Sequence, residues 1–255
     1  MRFKVVFFVF ILLLFASSAA FAYEEIKNLS LPSQGIEKLE IDCGAGFLKI
    51  FGREDLISFE AEAVIVLDGM SDEKAQRFIR EKVDLSLEKM GTRAVLISKI
   101  KRHTSFFSFR RKLINLTVNM PKNCDLYIDD GSGAISVENI QGRVDVEDGS
   151  GTMDIKHITG DVAIDDGSGS IRVIGVNGNV NIDDSSGDVR VEDVTGRVSV
   201  DDGSGTIYIM NIGADVTVSD GSGSIRIDGV EGNVTIEDDG SGGVGIKNVR
   251  GTVRK

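Results

Sequence analysis

The chain has few tyrosines and prolines and no tryptophan. Of its 255 residues, none is Trp, 3 are Tyr and 2 are Pro, whereas 30 are Gly. With so few rings available, the core has to be built from aliphatic side chains. Abundant Gly allows the backbone conformations that tight turns need. The composition therefore indicates an aliphatic core and many tight turns.

The chain also lacks a basic footprint, since its formal net charge is −11. A nucleic-acid partner needs clustered Lys and Arg to neutralise phosphates, so the composition argues against one. The charge is unevenly placed: the segment from Cys124 to Gly242 holds 25 acidic and 6 basic residues. The acidic half is thus the more informative part of the charge pattern.

A long apolar run is found only near the start. Arg2 and Lys4 precede the apolar stretch 5–15, and small residues end it at Ala20-Phe21-Ala22. This order is typical of a secretory signal peptide, here 1–22, with cleavage expected after Ala22. An uncleaved anchor is the alternative, although the run is shorter than the roughly 20 residues a spanning helix needs. We expect a periplasmic or extracellular protein with no transmembrane segment after cleavage.

An 18-residue repeat governs the second half. Asp-Asp-Gly-Ser-Gly or a close variant begins at Asp129, Glu147, Asp165, Asp183, Asp201 and Ser219, each 18 residues after the last. A seventh copy begins at Asp238, where Glu237 has the character of a one-residue insertion. Fixed-period self-similarity is typical of repeat architectures.

Apolar residues recur at fixed places within each copy. The first copy has Ile135, Val137, Ile140, Val144 and Val146, with Gly133 and Gly142 opening its two halves. Alternation by two predicts short strands near 134–138 and 143–147. Identity at the repeat spacing favours in-register stacking at about 4.8 Å, which an antiparallel meander does not require. We predict a mainly β fold: a parallel two-sheet β-solenoid with 18-residue coils.

The first half contains an echo of the repeat. Residues 39–50 match the pattern at 144–155 and predict a degenerate first coil. The predicted domains are therefore the signal peptide 1–22, an N-terminal α+β cap over 23–120 that includes this coil, and solenoid repeats over 121–255. The cap would cover strand edges at the end of the stack.

Residues 53–112 interrupt the repeat and predict the remaining cap elements. A strand near 56–67 places Ile57, Phe59, Ala61, Ala63 and Ile65 on one face. A helix is expected at 71–83, with Ser71 as its cap and with Ala75, Phe78, Ile79 and Val83 as its buried stripe. Further strands are expected near 84–89, 93–101 and 112–120.

The two cysteines lie at different turns of the predicted coils. Cys43 falls at the second Asp position of the turn motif, and Cys124 falls at the opposite turn. A strand length would then separate them, which is beyond the reach of a disulfide. We therefore expect no Cys43–Cys124 bond, even in an oxidising compartment.

The chain resembles a known family over nearly all of its length after residue 22. The resemblance rests on Leu39-Glu40-Ile41-Asp42-Cys43-Gly44-Ala45-Gly46, on Val118-Asn119-Met120-Pro121-Lys122 and on the Gly-Ser-Gly-x-Ile-x-Val coils. These patterns are similar to the bacterial exported putative-adhesin family, a domain of unknown function with β-strand repeats. The resemblance implies the fold and supplies no catalytic residues.

The acidic turns have two interpretations. In the first, Asp before Gly-Ser-Gly makes an Asx-type turn in which the carboxylate accepts backbone N–H groups. In the second, stacked carboxylates about 5 Å apart repel, and calcium bound to their oxygens relieves the repulsion. The two are compatible. The candidate calcium ladder is Asp130, Asp148, Asp166, Asp184, Asp202 and Asp220; no other cofactor is required.

A basic aromatic stretch is the second candidate site. Its proposed partner-contact residues are Arg102, Phe106, Phe107, Phe109, Arg110 and Arg111. One interpretation is a loop whose Phe side chains pack on the cap. The other is an exposed contact for anionic envelope lipids, polymers or an acidic partner.

Outward positions predict ion pairs between coils, namely Arg143–Asp161, Arg197–Asp215 and Glu138–Lys156. The two histidines, His103 and His157, lie far apart, and no grouping typical of catalysis accompanies them. We expect no enzyme but an exported adhesin-like or scaffold module of the cell envelope that contacts a protein or an envelope polymer. The alternatives are an envelope-stress or regulatory partner-binding protein and, less favoured, a polysaccharide-active enzyme. End-to-end self-association is also compatible with the repeat.

Overall fold

The computed structural model describes residues 22–101 and 111–255. The predicted signal peptide, except for Ala22, lies outside these residues. The first half contains seven strands and one helix: β1 (Ala22–Pro32), β2 (Lys38–Cys43), β3 (Ala45–Arg53), β4 (Ser58–Asp68), α1 (Asp72–Lys82), β5 (Val83–Met90), β6 (Arg93–Ile100) and β7 (Lys112–Pro121). No described helix is long and apolar enough to cross a membrane.

The second half is a succession of short strands. They are β8 (Asp125–Asp130), β9 (Ser132–Glu138), β10 (Val144–Asp148), β11 (Gly151–Thr159), β12 (Val162–Asp166), β13 (Gly169–Asn177), β14 (Val180–Asp184), β15 (Val189–Val194), β16 (Val198–Asp202), β17 (Gly205–Ile212), β18 (Val216–Asp220), β19 (Gly223–Val230), β20 (Val234–Asp238), β21 (Val244–Val249) and β22 (Val253–Arg254).

The strands form two sheets of eleven strands each. Sheet 1 has the order β1-β4-β7-β3-β9-β11-β13-β15-β17-β19-β21, and sheet 2 has the order β22-β20-β18-β16-β14-β12-β10-β8-β2-β6-β5. Strands of successive coils pair in parallel at a spacing of 18, for example Val146 with Ile164. The parallel pairing confirms the predicted solenoid and rejects the meander.

The aliphatic ladder fills the space between the sheets. Ile155, Val173 and Val191 are each fully buried, and they are register partners on adjacent strands. Each coil alone would leave these side chains in water, so stacking supplies the burial that stabilises it. The predicted insertion at Glu237 is confirmed, since the register shifts so that Ser219 pairs with Asp238.

The predicted first coil exists, but it does not begin the stack. Strands β2 and β3 pair in parallel with β8 and β9 on one side and with β6 and β7 on the other. The chain therefore passes through the first coil, leaves to build the end of the stack, and returns. At the end of sheet 2, β5 pairs antiparallel with β6. At the end of sheet 1, β4 pairs antiparallel with β7, and β1 pairs antiparallel with β4.

Three local predictions in this region were wrong. Ile57 is 82% exposed, because β4 begins only at Ser58 and Leu67 extends the buried face instead. Ser71 occupies the N-cap position of α1, but its side chain makes no capping hydrogen bond; its carbonyl accepts from the N–H of Ala75. Val83 starts β5, so the buried helix residues are Ala75 and Ile79 alone.

Candidate functional site: the stacked aspartate turns

The second Asp of each turn motif points into the corner of its coil. Its Oδ1 accepts the backbone N–H of the Ser two residues later, which confirms the Asx-type turn. The N···O distances are 3.2 Å at Asp148, 3.2 Å at Asp166, 3.0 Å at Asp184, 2.9 Å at Asp202 and 2.9 Å at Asp220. Because the strands before the turns are in register, these carboxylates form one ladder along the stack.

The other carboxylate oxygen of each rung is left without a protein partner. The side chains of Asp130, Asp148, Asp166, Asp184, Asp202 and Asp220 are between 0 and 7% exposed. In all six, Oδ2 is buried without a hydrogen bond. A buried, unpaired charged oxygen is costly. The ladder therefore favours a neutralised carboxyl group.

Burial accordingly changes the acidity of the rungs. Burial is the largest cause that raises the pKa of Asp148 and of Asp202, in each case to about 6, and the carboxylates on the neighbouring coils raise it further. The backbone N–H of the following Ser opposes the change at both positions. The pKa values of the other four rungs are also raised, chiefly by burial.

A thiol continues the ladder into the first coil. Cys43 stands where the other coils have Asp, as predicted, and its Sγ donates to Oδ1 of Asp130 at 3.4 Å. Burial and the adjacent carboxylate raise the pKa of the Cys43 thiol. Cys124 is also buried, its Sγ donates to the carbonyl of Ile36, and neither cysteine forms a disulfide. The expectation that the two do not bond is confirmed.

The final Gly of each motif lets adjacent turns approach closely. Gly151 has φ +149, and a Cβ built there would lie 1.6 Å from the carbonyl oxygen of Gly133 in the preceding coil. The N–H of Gly133 in turn donates to the carbonyl of Ser150. Only Gly fits such an approach. The close contact between adjacent coils therefore explains why each motif ends in Gly.

The calcium ladder stays a prediction. Within the described parts of the chain, no group of three or more His, Cys, Asp or Glu side chains is placed to hold a metal ion. Each rung offers one unengaged oxygen, whereas calcium prefers six to eight oxygen ligands. Protonation would neutralise the same oxygen without further ligands.

The opposite turn carries a ladder that sequence reasoning missed. Asp161 accepts from the backbone N–H of Asn179, and Asn179 accepts from that of Arg197, at 2.8 and 2.9 Å. Asp215 and Asn233 continue this pattern. The recurrence of Asp and Asn 18 residues apart was the signal that could have revealed it. These bonds link one coil to the next without burying charge.

A bend within the longer strand of each coil was also missed. Non-Gly residues adopt positive φ there: Asn139, His157, Asp193, Asn211 and Asn248 have φ between 53 and 64°, and Gly175 and Gly229 fill the same place. The apolar spacing changes from two to three at this point, as between Val173 and Val176. That change, together with Asn, Asp or Gly before the last apolar residue, was the available signal.

The predicted ion pairs between coils are wrong. Arg143, which directly precedes β10, bonds Asp145 of that strand at 2.7 Å, and Lys156 contacts Asp154 on β11. Neighbours two apart on one strand face the same side, so the basic group reaches its own strand first. The carboxylates of Asp161 and Asp215 are engaged instead by the backbone N–H groups of the next coil.

The first acid of each motif points outward from sheet 2. These residues, Asp129, Glu147, Asp165, Asp183 and Asp201, are exposed and in register on adjacent strands. We call them the acidic ladder. A shallow groove beside them is lined by Lys38, Tyr127, Asp145 and Asn181. Burial and then Glu147 raise the pKa of Tyr127 to about 12, which keeps the phenol neutral.

Most of the predicted basic aromatic contact site lies in the part of the chain that the structure does not describe. Arg102, Phe106, Phe107, Phe109 and Arg110 lie outside the described residues. Arg111 is described, and its Nε bonds Oδ2 of Asp68 at 3.1 Å. His157 lies on the outer surface with Glu138 at 3.6 Å, and His103 falls in the undescribed stretch. The partner-contact hypothesis therefore stays a prediction.

Known proteins resemble this chain only at low sequence identity. No curated protein sequence matches the chain. Three solved structures of low identity resemble it. A putative adhesin from Bacteroides fragilis NCTC 9343 is 12% identical, with 90% of this chain and 96% of that chain covered and a TM-score of 0.48. A putative lipid binding protein from Parabacteroides distasonis ATCC 8503 is 16% identical, with 90% and 97% covered and a TM-score of 0.47. A putative adhesin from the same organism is 12% identical, with 90% and 96% covered and a TM-score of 0.31.

A family model matches more than half of the sequence. The model is described as Toastrack DUF4097, and it matches residues 80–248. The matched range runs from the end of α1 into β21 and includes every complete copy of the turn motif. The chain belongs to the Toastrack DUF4097 family.

Proposed function

We propose that the protein is an exported, non-enzymatic, adhesin-like scaffold module of the bacterial cell envelope. The observation that carries the proposal is the acidic ladder, whose five exposed carboxylates stand in register on adjacent strands of sheet 2. Like charges about 4.8 Å apart on one face create a local field that attracts a cationic partner. A rigid stack holds this face in one geometry.

The surroundings of the acidic ladder support a binding role. Among the described residues, Asp165, Asp183 and Asp201 have no ion-pair partner, so their charge is available to another molecule. Glu147 is hydrogen-bonded by the phenol of Tyr127. The adjoining groove is shallow and open and presents ring, amide and carboxylate groups together with the cations of Lys38 and Arg143. Such an open groove suits surface contact better than an enclosed reaction. The partner would be a protein or an envelope polymer that carries positive charge.

Neutralising part of the acidic ladder should weaken this binding. We expect the triple variant Asp165→Asn, Asp183→Asn, Asp201→Asn to lose at least about tenfold in affinity for envelope material and to bind with less salt dependence. The three side chains are exposed, so the melting temperature should change little. The assay measures co-sedimentation of the exported protein with envelope fractions at increasing salt.

A charge-matched control separates the ladder from net charge. Glu73→Gln, Glu81→Gln, Glu88→Gln removes three exposed acids from the cap and should bind as the parent does. Equal losses in both triple variants would indicate a non-specific charge effect. Full binding by the ladder variant would reject the acidic ladder as the contact surface.

A further inference from the structure

The outward side of sheet 1 is apolar where it crosses the cap. Ile26 on β1 is 42% exposed and pairs with Val64 on β4. Val66 pairs with Leu113 on β7. Phe47 on β3 lies beside Asn115 of β7, because its backbone N–H donates to the Asn115 side chain at 3.0 Å. We call these five apolar residues the cap patch.

The strands alternate in a way that leaves the cap patch outside the core. On β4, Ala63 and Ile65 are fully buried, so Val64 and Val66 lie on the opposite face and are only half-buried. On β11 the same side of sheet 1 is polar, with Thr152, Asp154 and Lys156, and the coils carry apolar residues there only at scattered positions such as Ile174 and Met210. The cap patch occupies two neighbouring levels of these four strands, with Asn115 between Val64 and Phe47. Clustered apolar residues on an outer face are of the kind that marks an interaction surface.

Charges of opposite sign flank the cap patch on its two sides. Glu60 and Glu62 lie on β4, and Lys49 and Arg53 lie on β3. Glu62 pairs with Thr117, and Thr117 pairs with Lys49, so a whole strand separates the two charges by about 10 Å. That distance is too long for an ion pair within one chain.

We propose that the cap patch is a dimer interface that binds a second copy of this chain face to face. A two-fold axis that runs along β7 places β4 of one copy over β3 of the other. Val64 then packs against Phe47 of the second copy. Glu62 meets Lys49 at the level of Thr117, twice by symmetry. Sheets pack in this manner about 10 Å apart.

The charge pattern selects this occupant over others. A surface of one sign, such as an anionic membrane, would attract the Lys49 side of the patch and be repelled by Glu60 and Glu62. A second copy related by the two-fold axis meets the opposite sign on both sides. Lys49 lies over the Phe47 ring at 4.8 Å, so the cation and the ring would be covered together.

The dimer would extend the proposed scaffold function without depending on it. Packing through sheet 1 leaves sheet 2 of both copies facing outward, so two acidic ladders would point away from each other. Two linked faces bind a repetitive surface more tightly than one. The dimer itself needs only the cap patch and would form without any envelope partner.

Mass measurement of the exported protein tests the interface. We expect light scattering after size exclusion to give twice the single-chain mass at high concentration. Val64→Lys places a charge at the centre of the patch and should give a monomer with an unchanged circular dichroism spectrum. The matched control is Ile174→Lys, an outward position on β13 that is likewise half-buried, and it should remain dimeric.

A charge exchange tests the predicted register and avoids the apolar centre. Lys49→Glu and Glu62→Lys should each be monomeric alone, because each places like charges across both contacts. An equimolar mixture should recover the dimer, since every contact then joins a Lys to a Glu. A wild-type monomer at all concentrations would overturn the proposal, as would dimers that persist in Val64→Lys and in both charge variants. Failure of the mixture to recover the dimer would overturn the two-fold arrangement.

Discussion

Replacing Gly151 with Ala should prevent stable folding. The new Cβ would lie 1.6 Å from the carbonyl oxygen of Gly133, and φ at this residue is +149°. Relief needs both a backbone rotation and a separation of two coils in the middle of the stack. Backbone strain of this kind alone costs about 1–3 kcal/mol, and the lost coil contact adds to it, so we expect a loss of roughly 4 kcal/mol or more.

The measurement is urea unfolding followed by circular dichroism. The control is Gly243→Ala, because no atom lies within 4 Å of a Cβ placed there and its φ is not positive. That variant should unfold with the same midpoint as the parent. A Gly151→Ala protein that unfolds within about 1 kcal/mol of the parent would mean that the turns are not packed as closely as described.

Acidification should stabilise the protein, in contrast to the common acid denaturation of proteins. The pKa of Asp148 and of Asp202 is raised to about 6 from 3.8. In this case the folded state binds protons more tightly than the unfolded state does. The resulting stability is complete below the unfolded pKa and is lost as the pH rises through about 6. We expect the melting temperature to rise by about 5 °C or more between about pH 7.5 and pH 5.

Removing the charge of one buried aspartate should have the same effect on stability as acidification. Asp148→Asn keeps the oxygen that accepts from Ser150 and removes a buried charge, so it should raise the melting temperature at pH 7.5 and reduce the dependence on pH. Glu147→Gln, one residue away on the outer face, should change neither. A melting temperature that falls steadily on acidification would contradict the inference that the buried aspartates are stabilised by protonation.

The same melting experiment also tests calcium. It is repeated with EDTA, with calcium and with magnesium. A saturable rise with calcium alone that disappears in Asp148→Asn would establish the metal ladder, because a ligand that binds only the folded state stabilises it by mass action. Equal melting with EDTA and calcium would leave the proton as the group that neutralises the rungs.

The repeat made the solenoid predictable from sequence. In-register stacking repeats each environment, so Ile155 and its counterparts could be assigned to the core, and they are buried except for Ile246 in the last coil, which is half-buried. The cap was less predictable, because no sequence period states that β2 and β3 lie between β6–β7 and β8–β9. That order depends on contacts between distant segments.

The candidate sites were predictable only in part. The inward Asp and its Asx turn followed from the residues beside Gly, but the unpartnered Oδ2 depends on the depth of the corner. The ion-pair predictions failed because register alone does not decide between a partner on the same strand and one on the next. The cap patch was missed because Val64 and Val66 become a surface only once β7 and β3 lie beside them.

Deleting one complete coil, residues 167–184, tests the scaffold function most directly. The deletion joins Asp166 to Ser185 and preserves the turn, and in repeat proteins stability is close to a sum over units and their interfaces. We predict a folded protein that still binds envelope material, with an affinity reduced only by the loss of one rung, Asp183, from the acidic ladder. A folded deletion variant with no binding would contradict the account, because it would mean that one unique site, and not a repeated face, holds the partner.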